Sequence, residues 1–161
     1  MEIELCDVNE ILRSVRLLIE QQAYQSKVEL KTNLAEKMPS LKGDSEHLRQ
    51  VFLNLILNAI QAMPNGGTLN IETTLQDKKI NRDKEVATPF IEVKISDTGI
   101  GIPPENRDKI FNPFFTTKKD GTGLGLAISY RILENHKGSI SVQSTVGKGT
   151  AFIVRLPVER G

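Results

Sequence analysis

Apolar residues recur at intervals of three and four in three stretches of this chain, which is the spacing of an amphipathic helix. Asp7 can cap the first predicted helix, Asp44 or Ser45 can cap the second, and the third covers residues 124–136. The second helix is expected to end at the turn sequence PNGG, residues 64–67. The first helix is expected to bury its apolar positions Val8, Ile11, Leu12, Val15, Leu18 and Ile19.

Alternation of apolar and polar residues predicts five strands, over residues 28–34, 68–75, 90–96, 139–145 and 150–157. The strands at 68–75 and 90–96 are expected to pair as neighbours across the polar loop that joins them. The order of helices and strands predicts an α+β fold. We expect a two-layer α/β sandwich, in which about three helices cover one face of a mixed, mostly antiparallel sheet.

Residues 97–125 interrupt this regular pattern. They are rich in Gly, Pro, Thr and Lys, and only a short piece near 105–110 has helical spacing. A long irregular segment inside a compact domain is usually functional or mobile. The part from about 104 to 122 is therefore interpreted as a lid.

Length, composition and charge narrow the function classes. The chain has 161 residues, 39% of them hydrophobic, which predicts a single domain over 1–161 with a real core. Its 21 basic and 20 acidic side chains give a net charge of +1, and it has no Trp, so neither nucleic-acid binding nor membrane contact is indicated. No signal peptide or membrane span is predicted, and the lone Cys6 fits a reducing, cytoplasmic setting.

The second predicted helix carries a stripe of amides through an otherwise apolar sequence, VFLNLILNAIQAM. Asn54, Asn58 and Gln61 are separated by four and three residues, so they share one helical face. A buried amide without partners costs about 1–3 kcal/mol. The stripe therefore indicates a wet cleft, and the alternative is a pair of core amides that are satisfied internally.

An aspartate follows the strand at 90–96 directly, in the sequence ISDTGIGIPP. Gly99 and Gly101 come two and four residues after Asp97, and glycine lets backbone approach a flat ligand closely. A carboxylate only accepts hydrogen bonds, and the exocyclic amine of adenine is a donor. The alternative is an Asx-type turn that ends the strand.

Three alternating glycines, Gly121, Gly123 and Gly125, come just before the third helix. This arrangement aims backbone N–H groups and the positive end of a helix at an anion such as phosphate. The spacing matches neither a P-loop nor the dinucleotide fingerprint. A flexible hinge is the alternative.

Half of the six phenylalanines lie between these two motifs, in IFNPFFTTKKD. Phe111, Phe114 and Phe115 can pin a lid to the domain body. The hydroxyls of Thr116 and Thr117 and the ammonium group of Lys118 would then be available to triphosphate oxygens. The alternative is a small hydrophobic cluster under a loop.

Together and in this order, the four motifs resemble the N, G1, F and G2 boxes of the GHKL ATP-binding superfamily. The resemblance covers nearly the whole chain and is strongest to the catalytic and ATP-binding domain of sensor histidine kinases, in the nitrogen-regulation and sporulation-kinase branch. It implies a Bergerat fold that binds ATP and Mg²⁺, with Asn58 as the metal ligand and Asp97 on the adenine amine. The ATP-binding residues that it implies are Asn54, Asn58, Gln61, Ala62, Asp97, Gly99, Gly101, Ile102, Thr117, Lys118, Gly121, Thr122, Gly123, Leu124, Gly125, Leu126 and Thr150.

The resemblance also separates phosphoryl transfer from hydrolysis. Hydrolytic members of the superfamily typically carry a Glu four residues before the metal-binding Asn, where this chain has Asn54. An amide is no general base near neutral pH, so transfer to an imidazole is expected instead. Gln61 stands where relatives have a Lys, and Lys118 is the candidate to compensate. Asn54, Asn58 and Lys118 are thus the predicted catalytic residues.

The phosphate acceptor is expected on another domain. His47 and His136, the two histidines of the chain, lie in no H-E-x-x-x-P-like motif and are interpreted as structural or surface residues. The chain then resembles the catalytic half of a longer kinase, with or without a membrane anchor, that lacks its dimerisation and phosphoacceptor domain. That domain is the expected partner, with a response regulator indirectly. The alternatives are a protein serine kinase of the anti-sigma type and a non-catalytic ATP-binding module.

Overall fold

The computed structural model describes residues 1–76, 89–113 and 125–158. Its helices are α1 (Val8–Gln25), α2 (Ser45–Gln61), α3 (Pro104–Arg107) and α4 (Gly125–Asn135). Its strands are β1 (Glu4–Cys6), β2 (Val28–Asn33), β3 (Leu41–Gly43), β4 (Gly67–Gln76), β5 (Phe90–Asp97), β6 (Ser139–Thr145) and β7 (Gly149–Pro157). The three predicted helices and the five predicted strands are all present.

The main sheet has five strands in the order β2-β4-β5-β7-β6. Strands β2 and β4 are parallel, and the other three pairs are antiparallel. The predicted pairing of the strands at 68–75 and 90–96 is confirmed as the β4–β5 pair, in which Ile71 lies opposite Ile95. The predicted mixed, mostly antiparallel sheet is therefore correct.

Aspartates cap the two longest helices, as predicted. The Asp7 side chain accepts a hydrogen bond from the N–H of Glu10, and the Asp44 side chain accepts one from the N–H of His47. Each carboxylate satisfies a backbone donor that the first helical turn leaves unpaired. Ser45, the alternative cap, is the first residue of α2.

The core lies between the helices and one face of the sheet. Buried and half-buried residues alternate along the whole of β5, so one face of this central strand is covered. That face packs against the apolar side of α2, where Phe52, Leu55 and Ile56 are fully buried. The α/β sandwich predicted from the sequence is therefore present, and α2 runs across its centre.

Two details of the N-terminal region differ from the prediction. Leu18 is 64% exposed, because it lies outside the arc of α1 that packs on the core, whereas Ile19 beside it is buried. Strands β1 and β3 form a separate two-stranded antiparallel sheet that the sequence did not predict. Each has only three residues, which is too short for alternation to register.

His136 is buried at the C-terminal end of α4 and connects three elements. Its Nε2 atom accepts a hydrogen bond from the N–H of Asp44 (2.9 Å), so its Nδ1–H donates to the carbonyl oxygen of Ile132 (2.8 Å). The imidazole also fills the space above Gly43, where a Cβ atom would lie 2.7 Å from the ring. His136 is therefore structural, as the sequence analysis expected, whereas His47 is half-buried at the start of α2.

Within the ranges described above, no helix has both the length and the apolar character needed to cross a membrane.

Candidate nucleotide-binding site

The amide face of α2 borders the beginning of α4. Asn54 and Asn58 are half-buried, and Gln61, the last residue of α2, is exposed. The Nδ2 group of Asn54 donates to the carbonyl oxygen of Gly125 and to the hydroxyl of Ser129, both at 3.4 Å. These long bonds place Asn54 beside the first turn of α4, so the predicted amide stripe and the third predicted helix do meet.

Asp97 ends β5 and is buried. Its Oδ1 atom accepts hydrogen bonds from the N–H groups of Gly99 (2.9 Å) and Thr150 (3.2 Å). The bond from Gly99 is that of an Asx-type turn, so the alternative interpretation of this motif is correct for Oδ1. Among the described residues, both bonds that Asp97 accepts end on Oδ1.

Burial raises the pKa of Asp97 above the ordinary aspartate value. The hydrogen bonds from Gly99 and Thr150 act in the opposite direction but do not offset the loss of hydration. The ionised carboxylate therefore gains more from a further donor than an exposed aspartate would. A buried acid with a raised pKa is typical of a functional site.

The loop after β5, residues 98–102, is called the glycine loop here and lies directly against the end of α2. The N–H of Ile100 donates to the carbonyl oxygen of Ala62 at 3.0 Å, and a Cβ atom on Gly99 would lie only 2.3 Å from that oxygen. Gly101 has φ +79° and would place a Cβ atom 2.4 Å from the carbonyl oxygen of Thr145. Only glycine fits at these two positions, and Ile102, the next residue, is half-buried.

The turn between β6 and β7 lies against the same loop. The N–H of Gly147 donates to the carbonyl oxygen of Ile100 at 2.8 Å. Gly149 has φ +133°, and a Cβ atom there would lie 2.0 Å from the carbonyl oxygen of Asp97. Thr150 follows, buried beside Asp97. The fold therefore brings Ala62, Asp97, Gly99, Gly101 and Thr150 together, all of which the resemblance assigns to ATP.

The first part of the predicted lid is attached to the domain body. The ring of Phe111 lies 5.7 Å from that of Tyr130 on α4 and 6.5 Å from that of Phe152 on β7, centroid to centroid. Ile110 beside it is buried. The anchoring role predicted for Phe111 thus has a structural basis over residues 104–113. The remainder of the predicted lid, to residue 122, lies outside the described residues.

Other predicted contacts of the phosphates fall at or beyond the same boundary. Gly125 and Leu126 are half-buried at the start of α4. Further predicted residues lie outside the described part of the chain: Phe114, Phe115, Thr116, Thr117, Lys118, Gly121, Thr122, Gly123 and Leu124.

The sequence motifs did not indicate the roles of several residues that support this site. Ser129 contacts the Asn54 amide, and the Thr98 hydroxyl contacts the sulfur of Met63 at 3.7 Å. Ser144 lies under Thr150, with their hydroxyl oxygens 2.8 Å apart. The register of the hairpin offered a signal for Ser144, since a turn over 146–148 places residue 144 opposite residue 150.

Replacing Gly99 with alanine is expected to lower nucleotide affinity by at least about tenfold, because the new methyl group displaces the loop from the Ala62 carbonyl. Gly138→Ala is a matched control, since its Cβ atom would lie 2.4 Å from the carbonyl oxygen of Arg155, at the other end of β7. Both variants should lose about 1–3 kcal/mol of unfolding free energy in urea. If both also lose affinity equally in calorimetry, the loop at Gly99 has no special role in binding.

These features define a class of protein in which a sheet covered by helices presents a buried acid and a glycine loop to an amide-bearing helix. The family model described as histidine kinase-, DNA gyrase B- and HSP90-like ATPase matches residues 43–160. The chain belongs to this family. Its fold and boxes are those of the catalytic domains of sensor histidine kinases, as the resemblance indicated.

Sensor kinases are prominent among the relatives. The chain is 37% identical to the sensor histidine kinase ZraS of Salmonella typhimurium over 98% of its own length and 32% of that protein. It is 39% identical to sporulation kinase E of Bacillus subtilis over 95% of its own length and 19% of that protein. The chain thus spans a third or less of these curated relatives.

Solved structures show the same fold. The catalytic domain of the histidine kinase ThkA, in a nucleotide-free form, is 31% identical and superimposes with a TM-score of 0.81, covering 98% of both chains. Full-length ShkA in complex with AMPPNP is 27% identical, with a TM-score of 0.82 over 98% of this chain and 31% of that one.

Proposed function

We propose that this chain binds Mg-ATP and transfers the γ-phosphate to a histidine on a separate dimerisation domain of a two-component sensor kinase. The observation that carries the proposal is the buried carboxylate of Asp97, which accepts two backbone N–H groups on Oδ1 and lies between the glycine loop and Thr150. Adenine supplies the donor that such an acceptor selects, and the relative ShkA has been solved in complex with AMPPNP.

The base end of the site is formed by the ends of α2, β5 and β7. Asp97 accepts from the adenine amine, and Thr150 supports the base from the sheet. Gly99 and Gly101 keep the loop low enough for a flat ring to approach the backbone, next to Ala62 and Ile102.

The phosphate end is formed by the amide face of α2 and the beginning of α4. Asn54 lies against Gly125, so a phosphate near Asn54 and Asn58 would meet the positive end of an 11-residue helix. Gln61 extends the amide face by one turn. Leu126 belongs to the same first turn of α4. The assignment of Thr117, Lys118 and residues 121–124 to the triphosphate rests on the sequence motifs alone.

The residues present fit a Mg²⁺ ion that arrives with its nucleotide. Within the described ranges, no group of three or more His, Cys, Asp or Glu side chains is placed to hold a metal by itself. Mg²⁺ is usually held by one or two protein oxygens together with substrate phosphates and water. The amide oxygen of Asn58 is the proposed protein ligand. When bound, the ion offsets negative charge on the phosphates.

Transfer is favoured over hydrolysis by the group at position 54. The Asn54 amide cannot take a proton from water near neutral pH, and its Nδ2 group donates to Gly125 and Ser129. His136 is unsuited as an acceptor, since it is buried with both ring nitrogens bonded, and His47 stands in no H-E-x-x-x-P-like motif. The acceptor is therefore proposed to lie in the larger part of the kinase that the relatives contain.

Experiments on the isolated chain can test whether the acceptor histidine lies on another domain. Given γ-labelled ATP and Mg²⁺, the isolated chain is expected to bind the nucleotide, to hydrolyse it very slowly, and to retain no covalent label. Rapid hydrolysis would place the chain among the hydrolytic members of the family. Label retained on a serine, or transferred to a serine of an added partner, would favour the serine-kinase alternative.

A further inference from the structure

We propose that Ser144 is a positioning residue that fixes the Thr150 hydroxyl as a hydrogen-bond acceptor, and that it thereby selects a purine with an amino group at position 6. The inference rests on the proposed nucleotide site and concerns which base that site prefers. Ser144 lies in β6 directly opposite Thr150 in β7, and both residues are buried.

The role of each hydroxyl follows from counting protons. The Ser144 hydroxyl has one proton and two lone pairs. It lies 3.0 Å from the carbonyl oxygen of Gly149, which only accepts, so the Ser144 proton is donated there. The N–H of Ile102 lies 2.7 Å from the same hydroxyl oxygen and only donates, so it occupies one lone pair.

The direction of the remaining hydrogen bond of Ser144, with Thr150, follows from this. Its oxygen lies 2.8 Å from the Thr150 hydroxyl oxygen, and with the Ser144 proton already used, Thr150 must be the donor. The proton of Thr150 thus points into the sheet, toward β6. The two lone pairs of Thr150 are left as acceptors for whatever lies beside it.

Asp97 lies beside Thr150 on the same face of the sheet. The alternation of buried positions places Asp97 with Val93 and Ile95 on β5, and Thr150 with Phe152 and Val154 on β7. The N–H of Thr150 donates to Asp97, which brings the two residues into contact. This end of the proposed site therefore presents two acceptors, a carboxylate oxygen and a hydroxyl oxygen that cannot turn its proton toward the ligand.

Two fixed acceptors discriminate between purines. A 6-amino group carries two N–H donors and can satisfy an acceptor pair, directly or through water. A 6-oxo group presents only lone pairs and would face both acceptors unpaired. A free threonine hydroxyl could rotate and donate to a 6-oxo group. Because Ser144 fixes the hydroxyl proton of Thr150, this hydrogen bond to a 6-oxo group cannot form.

Ser144 is well fixed for this task. Its backbone carbonyl oxygen accepts a hydrogen bond from the guanidinium group of Arg107 on α3, and its hydroxyl holds Ile102 at the end of the glycine loop. The same side chain thus joins the loop to the sheet and orients Thr150. A purely structural role would affect all nucleotides alike, whereas orientation of Thr150 affects the ratio between them.

The test compares ATP with inosine triphosphate in the wild-type chain and in Ser144→Ala. We expect the ratio of the two affinities, which favours ATP, to fall by about threefold to tenfold in Ser144→Ala, because the Thr150 hydroxyl is released to donate. Ser144→Thr restores a hydroxyl and should restore the ratio. In a Thr150→Val background, Ser144→Ala should leave the ratio unchanged.

An unchanged ratio in Ser144→Ala, with ATP still bound, would overturn this inference and leave the proposed function intact. Should Ser144→Ala fail to fold, Ser144→Cys supplies the same comparison, since a thiol is a weak acceptor of similar size. A wild-type chain that binds neither nucleotide would overturn the proposed function as well, so the two failures are distinguishable.

Discussion

Asp97→Asn is expected to weaken ATP binding by about 10- to 100-fold without unfolding the chain, which is the loss of a hydrogen bond to a charged acceptor. The N–H groups of Gly99 and Thr150 both bond to Oδ1, so they hold the amide oxygen of the variant in that position. The NH₂ group then replaces Oδ2. A donor would face the donor of adenine, and isothermal calorimetry would measure the difference.

Asp44→Asn provides the matched control for this experiment. Asp44 is also buried and also accepts from two backbone N–H groups, those of Glu2 and His47, but it caps α2 at the end away from Ala62. The N–H groups of His47 and Glu2 lower its pKa, so its ionised form stabilises the fold at neutral pH. This variant should lose stability and retain ATP affinity. Equal affinity in wild type and Asp97→Asn would remove Asp97 from the site.

The carboxylate of Asp97 also determines how ATP binding changes with pH. Burial raises the pKa of Asp97, so the folded chain holds this proton more tightly than the unfolded chain does. As the pH is lowered, Asp97 becomes protonated and ATP affinity should fall. This loss should begin at a higher pH than it would for an exposed aspartate, because the pKa of Asp97 is raised. Folding stability moves the other way, because protonation removes the cost of the buried charge. Asp97→Asn should abolish this dependence of affinity on pH.

Asn58→Ala should abolish phosphoryl transfer to an acceptor domain, because it removes the proposed protein ligand of the Mg²⁺ that offsets charge on the phosphates. Nucleotide affinity in the presence of EDTA should change little, since Asp97 and the glycine loop are intact. Gln21→Ala, an exposed amide on α1, is the control for loss of an amide from a helix. Transfer at the wild-type rate in Asn58→Ala would exclude Asn58 from the reaction.

The strong periodic patterns of the sequence predicted the fold well. Residues of α2 and β5 follow a single period over many positions, so each of them adds to one interpretation. Strands β1 and β3 are too short to repeat a pattern, and their paired residues are 35 or more positions apart in the chain. Leu18 shows the limit of counting apolar positions, since an apolar residue at the edge of a helical stripe can remain exposed.

The sequence predicted those parts of the candidate site where the type of residue at a position allows few structural interpretations. A carboxylate that ends a strand, followed by Gly99 and Gly101, already indicated a close approach of backbone. The sequence gives no sign that Gly99 approaches the carbonyl of Ala62, because that contact joins elements far apart in the chain. The proton arrangement between Ser144 and Thr150 depends on distances to Gly149 and Ile102, which only the three-dimensional structure provides.

Phosphoryl transfer in trans tests the proposed function most directly. The wild-type chain would be mixed with γ-labelled ATP, Mg²⁺ and the dimerisation domain of its parent protein, which carries the proposed acceptor histidine. The proposed function predicts an acid-labile, base-stable phosphate on that domain, none on the chain itself, and none anywhere with Asn58→Ala. Acid-labile phosphate on His47 or His136 of the chain alone, or rapid ATP hydrolysis without the added domain, would contradict it.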